Sequence, residues 1–137
     1  MTMLNCIFIA IFTLFIAFQN IIPMAMEKKA NFLCFILFIV YLYCWYKVLK
    51  NFRIEKNISL LKFSAIFWFV VPLFHILLII WQLYGVHFPL FSPLILLVYS
   101  LFWGISFLSK QYFFLLSFGV CLFYFCISLN QFKKIIP

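Results

Sequence analysis

Aspartate is absent from this 137-residue chain, and its only two acidic residues are Glu27 and Glu55. Glycine occurs three times, and charged residues make up 9% of the chain, where a soluble domain carries about 25%. Each scarcity excludes something. Two glutamates far apart in sequence offer no carboxylate pair for general acid–base hydrolysis. There is no HExxH zinc motif, no GxSxG turn and no glycine-rich phosphate loop. Both glutamates also lie in polar connecting stretches, outside the apolar runs where an ion-coupled carrier holds its carboxylates. An enzyme is therefore not expected, nor is any cofactor.

What fills the chain instead is apolar, at 69% hydrophobic residues. A chain this short cannot bury so much apolar surface within itself, because a small domain leaves much of its surface exposed. Lipid must cover the remainder. The twelve charged side chains obey the same logic, falling only within residues 27–29, 47–62, 110 and 133–134. A charge at the centre of a membrane helix costs about 2.5 to 3.5 kcal/mol on insertion scales, so it is swept into the connections. Phe, Ile, Leu, Lys and Asn are abundant, as AT-rich codons produce. The twenty-two phenylalanines are accordingly discounted as a functional signal, and a bacterial inner (plasma) membrane is the expected location.

A net charge of +8 raises nucleic acid as a partner, but these cations sit in membrane connections. Anionic lipid head groups suit them better, at about 1 kcal/mol per well-placed cation; no nucleic acid is expected. The cysteines, Cys6, Cys34, Cys44, Cys121 and Cys126, lie in apolar runs without CxxC spacing and are read as packing residues.

A hydrocarbon core of about 30 Å is crossed by roughly 17 to 25 helical residues, and the sequence predicts five such helices. They cover residues 3–22, 32–49, 63–84, 93–108 and 112–129, in an all-α polytopic transmembrane bundle of five, alternatively four, spanning helices with no soluble domain. Pro23 is expected to end the first helix and Gly85 to turn the chain after the third. Ser92 and Pro93 are the cap and first-turn residues of the fourth, which is short for a crossing. Only residues 109–111 separate it from the fifth, predicting a tight antiparallel hairpin. No basic side chain precedes Leu4 and residues 17–26 offer no small-residue cleavage pattern, so the first helix is expected to be retained.

If five helices cross, Lys47, Lys50, Arg53, Lys56, Lys62 and Lys110 share the N-terminal side, and Lys28, Lys29, Lys133 and Lys134 share the other. The positive-inside rule then places the N-terminus in the cytoplasm, on a margin of six cations to four. In the connector 50–62, Lys50, Arg53 and Lys56 would share one side of a helix. Phe52, Ile54, Ile58 and Leu60 form no clean opposing stripe, so a solvated loop making head-group contacts is predicted.

One ionisable group lies deep in an apolar run: His75, three residues after Pro72. Pro72 cannot donate to the carbonyl of Trp68, so the expected arrangement is a neutral imidazole whose ring NH serves that freed carbonyl or a neighbouring Ser. An intramembrane histidine is also the default functional candidate, as a proton relay, a haem ligand or the contact for a partner helix. His87 lies too far along the chain to pair with it around a haem and is read as a head-group contact. Small residues let membrane helices approach closely, so Ser100 and Gly104 are predicted to meet Ser117 and Gly119 on the returning arm. Trp103 and Tyr99 flank that step with polar tips needing partners. Gln19 and Asn20, beside Pro23, are assigned to the interface.

The function these residues support is non-catalytic: a small multi-pass protein, an accessory subunit or modulator, acting by helix packing against another membrane protein. In size, basicity and number of crossings it is similar in type to immunity proteins that block pore-forming bacteriocins, a likeness without residue correspondences. The alternative is a small oligomeric transporter or channel component, marked by His75 facing a polar cavity.

Overall fold

The computed structural model describes residues 2–26, 28–85, 92–109 and 111–135. It contains α1 (Thr2–Ala25), α2 (Phe32–Ile54), α3 (Ile58–Tyr84), α4 (Ser92–Phe102) running into a 3₁₀ turn (Trp103–Phe107), and α5 (Phe113–Lys133). No strand occurs among the described residues. Four helices, α1, α2, α3 and α5, are long and apolar enough to cross a membrane, and Ser92–Phe107 is shorter. The molecule is an all-α membrane bundle.

Several boundaries move outward from their sequence-predicted places. α1 runs past Pro23, because a proline in the last turn removes a single donor and the turn still closes through Met26 N–H to Ile22 O and Lys28 N–H to Pro23 O. α2 continues through Lys50 and Arg53, and α3 begins at Ile58 rather than residue 63. The predicted solvated loop shrinks to a tight turn at residues 55–57. Helices end where backbone bonding and packing end, and Leu49, Phe52 and Leu61 are buried there. The turn closes with Lys56 at φ 53° and with the Asn57 side chain accepting from Leu60 N at 3.1 Å. Asn31 caps α2 in the same way, accepting from Cys34 N at 2.8 Å. Gly85, at φ 66°, ends α3 as predicted, its N–H bonded to Trp81 O.

Buried residues recur at alternating steps of three and four, the knobs-into-holes spacing of left-handed bundles. Along α2 they are Cys34, Phe38, Tyr41, Trp45, Val48 and Phe52; along α3, Leu61, Ser64, Trp68, Val71, His75 and Leu78; along α5, Ser117, Cys121, Tyr124, Ser128 and Gln131. α3 and α5 form the most extensive pair. Their antiparallel register can be followed contact by contact. Lys62 Nζ stands 5.7 Å over the Phe132 ring, and Ser64 Oγ lies 3.3 Å from Ser128 Oγ. Trp68 stacks on Tyr124 at 4.7 Å, and His75 lies 6.2 Å from the Phe113 ring.

That register fixes which face each connection occupies. The α2–α3 turn lies on one face, called here the turn face, and α5 ends beside it. The 3₁₀ turn lies on the opposite, far face, pinned to the α1–α2 connection: Ser106 Oγ accepts from Ala30 N at 2.9 Å, and Trp103 Nε1 donates to Lys28 O at 3.0 Å. α3 starts at the turn face, and at about 1.5 Å per residue its last nine residues carry it some 14 Å beyond His75 toward the far face. The chain between α3 and α5 therefore leaves from and returns to the same face, so α4 does not cross.

Of the two counts the sequence allows, this arrangement selects four crossings rather than five. Lys133 and Lys134 join Lys47, Lys50, Arg53, Lys56 and Lys62 on the turn face, which thus holds seven of the chain's ten cations. Lys28 and Lys29 lie on the far face, where Ser109 and Gln111 also sit. Lys110, Glu27 and His87 lie outside the described residues.

Candidate functional site

His75 is 4% exposed and sits on the buried face of α3. Its Nδ1 is 3.2 Å from Val71 O. A carbonyl can only accept, so Nδ1 carries the proton and donates, which in the neutral ring makes Nε2 an acceptor. Nε2 is buried and has no hydrogen-bond partner among the described residues. The carbonyl served is that of Val71, one turn back in the same helix, rather than the Trp68 carbonyl that Pro72 leaves free. Three rings surround the imidazole: Phe102 at 5.1 Å edge-on, Phe113 at 6.2 Å and Phe114 at 6.3 Å. His75 thus ties α3 to the end of α4 and the start of α5 in an aromatic enclosure.

The small residues do not meet as predicted. A Cβ on Gly104 would stand 2.8 Å from Cys34 O and 2.9 Å from Phe38 Cβ, so Gly104 is where the 3₁₀ turn presses on α2. Gly119 has nothing within 4 Å of its Cβ direction and is exposed, facing away from the bundle. Ser100 is buried and donates to Leu97 O in its own helix at 2.9 Å; Ser117 is buried in the α3–α5 seam. The physical reason is that the hairpin does not close on itself: α4 packs on α1 and α3, whereas α5 packs on α3. Trp103 finds its acceptor in Lys28 O, and Tyr99 packs among Trp103, Phe113 and Phe114. Asn20, assigned to the interface, is 1% exposed within the bundle, with neither side-chain amide atom bonded among the described residues.

Lys50 and Lys56 are exposed and Arg53 is half-buried. Lys50 and Arg53 stand on the last turns of α2 and Lys56 in the turn beyond, and none of the three lies on a surface helix.

Sequence reasoning missed the polar glue between helices. Tyr124 OH donates to Leu42 O, joining α5 to α2. Thr13 Oγ1 lies 3.0 Å from Tyr41 OH, joining α1 to α2, and also donates to Ile9 O at 2.7 Å. Trp45, Phe67, Trp68 and Tyr124 stack through the middle of the bundle. A usable signal was present: in a lipid-embedded helix, Ser, Thr, His and Tyr recurring at steps of three and four mark the interior.

Comparison with protein-family models, with curated proteins and with solved structures finds no match. The fold and its packing thus carry the functional argument alone.

Proposed function

We propose that the chain is a non-catalytic multi-pass membrane protein, an accessory subunit or modulator, that works by packing against another membrane protein. The observation that carries this is the unequal covering of the four long helices. α1 is the least enclosed, 22% of its membrane window being buried against 39% for α3. Ile11, Phe15, Phe18 and Ile22 form an exposed apolar row along it. Thr13, Tyr124 and the Ser64–Ser128 pair tie helix to helix inside the bundle, and His75 is enclosed by rings, as packing residues of a scaffold are.

The turn face, with seven cations, is assigned to the cytoplasm by the positive-inside rule. Both the start of α1 and the end of α5 then lie on the cytoplasmic side. A cysteine replacing Asn57 should react with an impermeant thiol reagent only after cells are opened, and one replacing Lys29 should react on intact cells. The reverse pattern overturns the assignment.

The packing role is tested with a tagged copy extracted in mild detergent. Phe15→Ala with Phe18→Ala is expected to release a stoichiometric companion that Leu115→Ala, on the outward face of α5, retains. Equal retention by both variants, or no companion at all, overturns the proposal.

A further inference from the structure

α4 stops short of the turn face, and the space it leaves is not refilled by protein. α1 and α3 have almost no direct packing on one another; in the far half of the bundle α4 stands between them. In the turn-face half there is a cavity of about 550 Å³, within the roughly 300–1,000 Å³ range of small-ligand sites. Its walls include Ala10 and Leu14 of α1, Trp45 and Phe52 of α2, and Phe63 and Phe67 of α3. Thr13 and Ser64 also border it, but their hydroxyls are bonded within the chain, to Ile9 O and Tyr41 and to Ser128. The lining it presents is apolar.

We propose that this groove binds one acyl chain of an anionic phospholipid from the leaflet at the turn face, with the phosphate held at the rim by Arg53 and Lys56. Three observations commit it to that occupant. The first is height: the lining residues cover eight or nine positions on each helix, about 10–12 Å at 1.5 Å per residue. One leaflet of a hydrocarbon core of about 30 Å supplies about 15 Å. The second is that a partner's crossing helix needs about 20 residues of clear depth, and here α4 blocks the far half. The third is charge. Arg53 and Lys56 follow the wall residue Phe52 at the turn-face end of α2, with Lys50 one turn back and Glu55 the single acid, which makes that end of the groove net positive. An apolar slot under a cationic rim matches a phosphate head joined to a hydrocarbon tail. The inference goes beyond the packing role above and fails or stands separately from it.

The chain is purified from vesicles of mixed phosphatidylglycerol and phosphatidylethanolamine, and the lipid it retains is identified by native mass spectrometry. The wild-type chain is expected to retain phosphatidylglycerol in preference to phosphatidylethanolamine. Arg53→Ala and Lys56→Ala should each lower that preference about fivefold, the ratio corresponding to about 1 kcal/mol per cation. Ala10→Phe fills the groove from the exposed side of α1 and should abolish retention, while Leu115→Phe, outward on α5, should leave it unchanged. Leu14→Trp fills the same groove one turn away and gives the same readout should Ala10→Phe not fold. Retention without preference between the two lipids overturns the proposal. So does retention unchanged in the groove-filling variants, and so does their losing a protein companion while keeping the lipid.

Discussion

α3 borders α5 along one side and faces α1 across a gap on another, and these two neighbourhoods solve the same problem differently. In the α3–α5 seam the side chains interlock from Lys62 against Phe132 to His75 against Phe113, with a serine pair and a tryptophan–tyrosine stack between. In the gap, one half is filled by the non-crossing α4 and the other half is left to a 550 Å³ groove. Both neighbourhoods are built from helices apolar enough to cross a membrane. What separates them is shape: large rings and small hydroxyls at complementary positions can close a seam, and lipid tails can fill whatever does not close. In a membrane, an unfilled face is not penalised as it is in water, because lipid is as apolar as leucine.

The largest test of this contrast compares truncations on the two sides. Trp68→Ala, in the seam, is expected to cost about 3 to 5 kcal/mol of unfolding free energy in detergent titrations. Leu14→Ala, at the groove wall, should cost well under about 1 kcal/mol, because lipid or detergent fills the space. Similar costs at the two positions break the contrast.

A smaller effect is expected from the glycines. Gly104→Ala forces a methyl against a backbone oxygen and should cost about 2 to 3 kcal/mol, since the carbonyl of Cys34 cannot move without disturbing α2. Gly119→Ala meets open space and should stabilise the helix by up to about 1 kcal/mol. Thermal unfolding in a single detergent distinguishes them, and a destabilised Gly119→Ala would relocate the packed face of α5.

The smallest effect sharpens the seam itself. A double-mutant cycle on Ser64→Ala and Ser128→Ala should give a coupling of about 0.6 kcal/mol, the usual size for interhelical hydrogen bonds in membranes. Zero coupling would reduce that contact to shape alone.

How much of this was legible in the sequence varies with the physics behind each feature. The turn at Gly85 is local and residue type marks it, whereas the caps at Asn31 and Asn57, equally local, went unread because asparagine also suits the connecting loops expected there. The ends of α2 and α3 are not local, because hydropathy marks where lipid ends and a helix can continue into the head groups, as it does through Lys50 and Arg53. His75 could be recognised as deeply placed, but its three aromatic neighbours come from the end of α4 and the start of α5, and no spacing rule links them. Of the small residues expected to meet across the hairpin, Gly104 alone lies at a close approach, and its partner, α2, was hidden because any of several helices could have supplied it.

By itself the sequence determined the solvent, the all-helical class and the sweep of charge out of the apolar runs, because each follows from transfer free energies and backbone bonding that act residue by residue. Tertiary structure decided which faces meet, that α4 turns back, and that Lys133 and Lys134 join the turn face. In a uniformly apolar chain hydropathy cannot tell lipid-facing from core-facing positions, and only the fit of particular side chains between particular helices makes that choice.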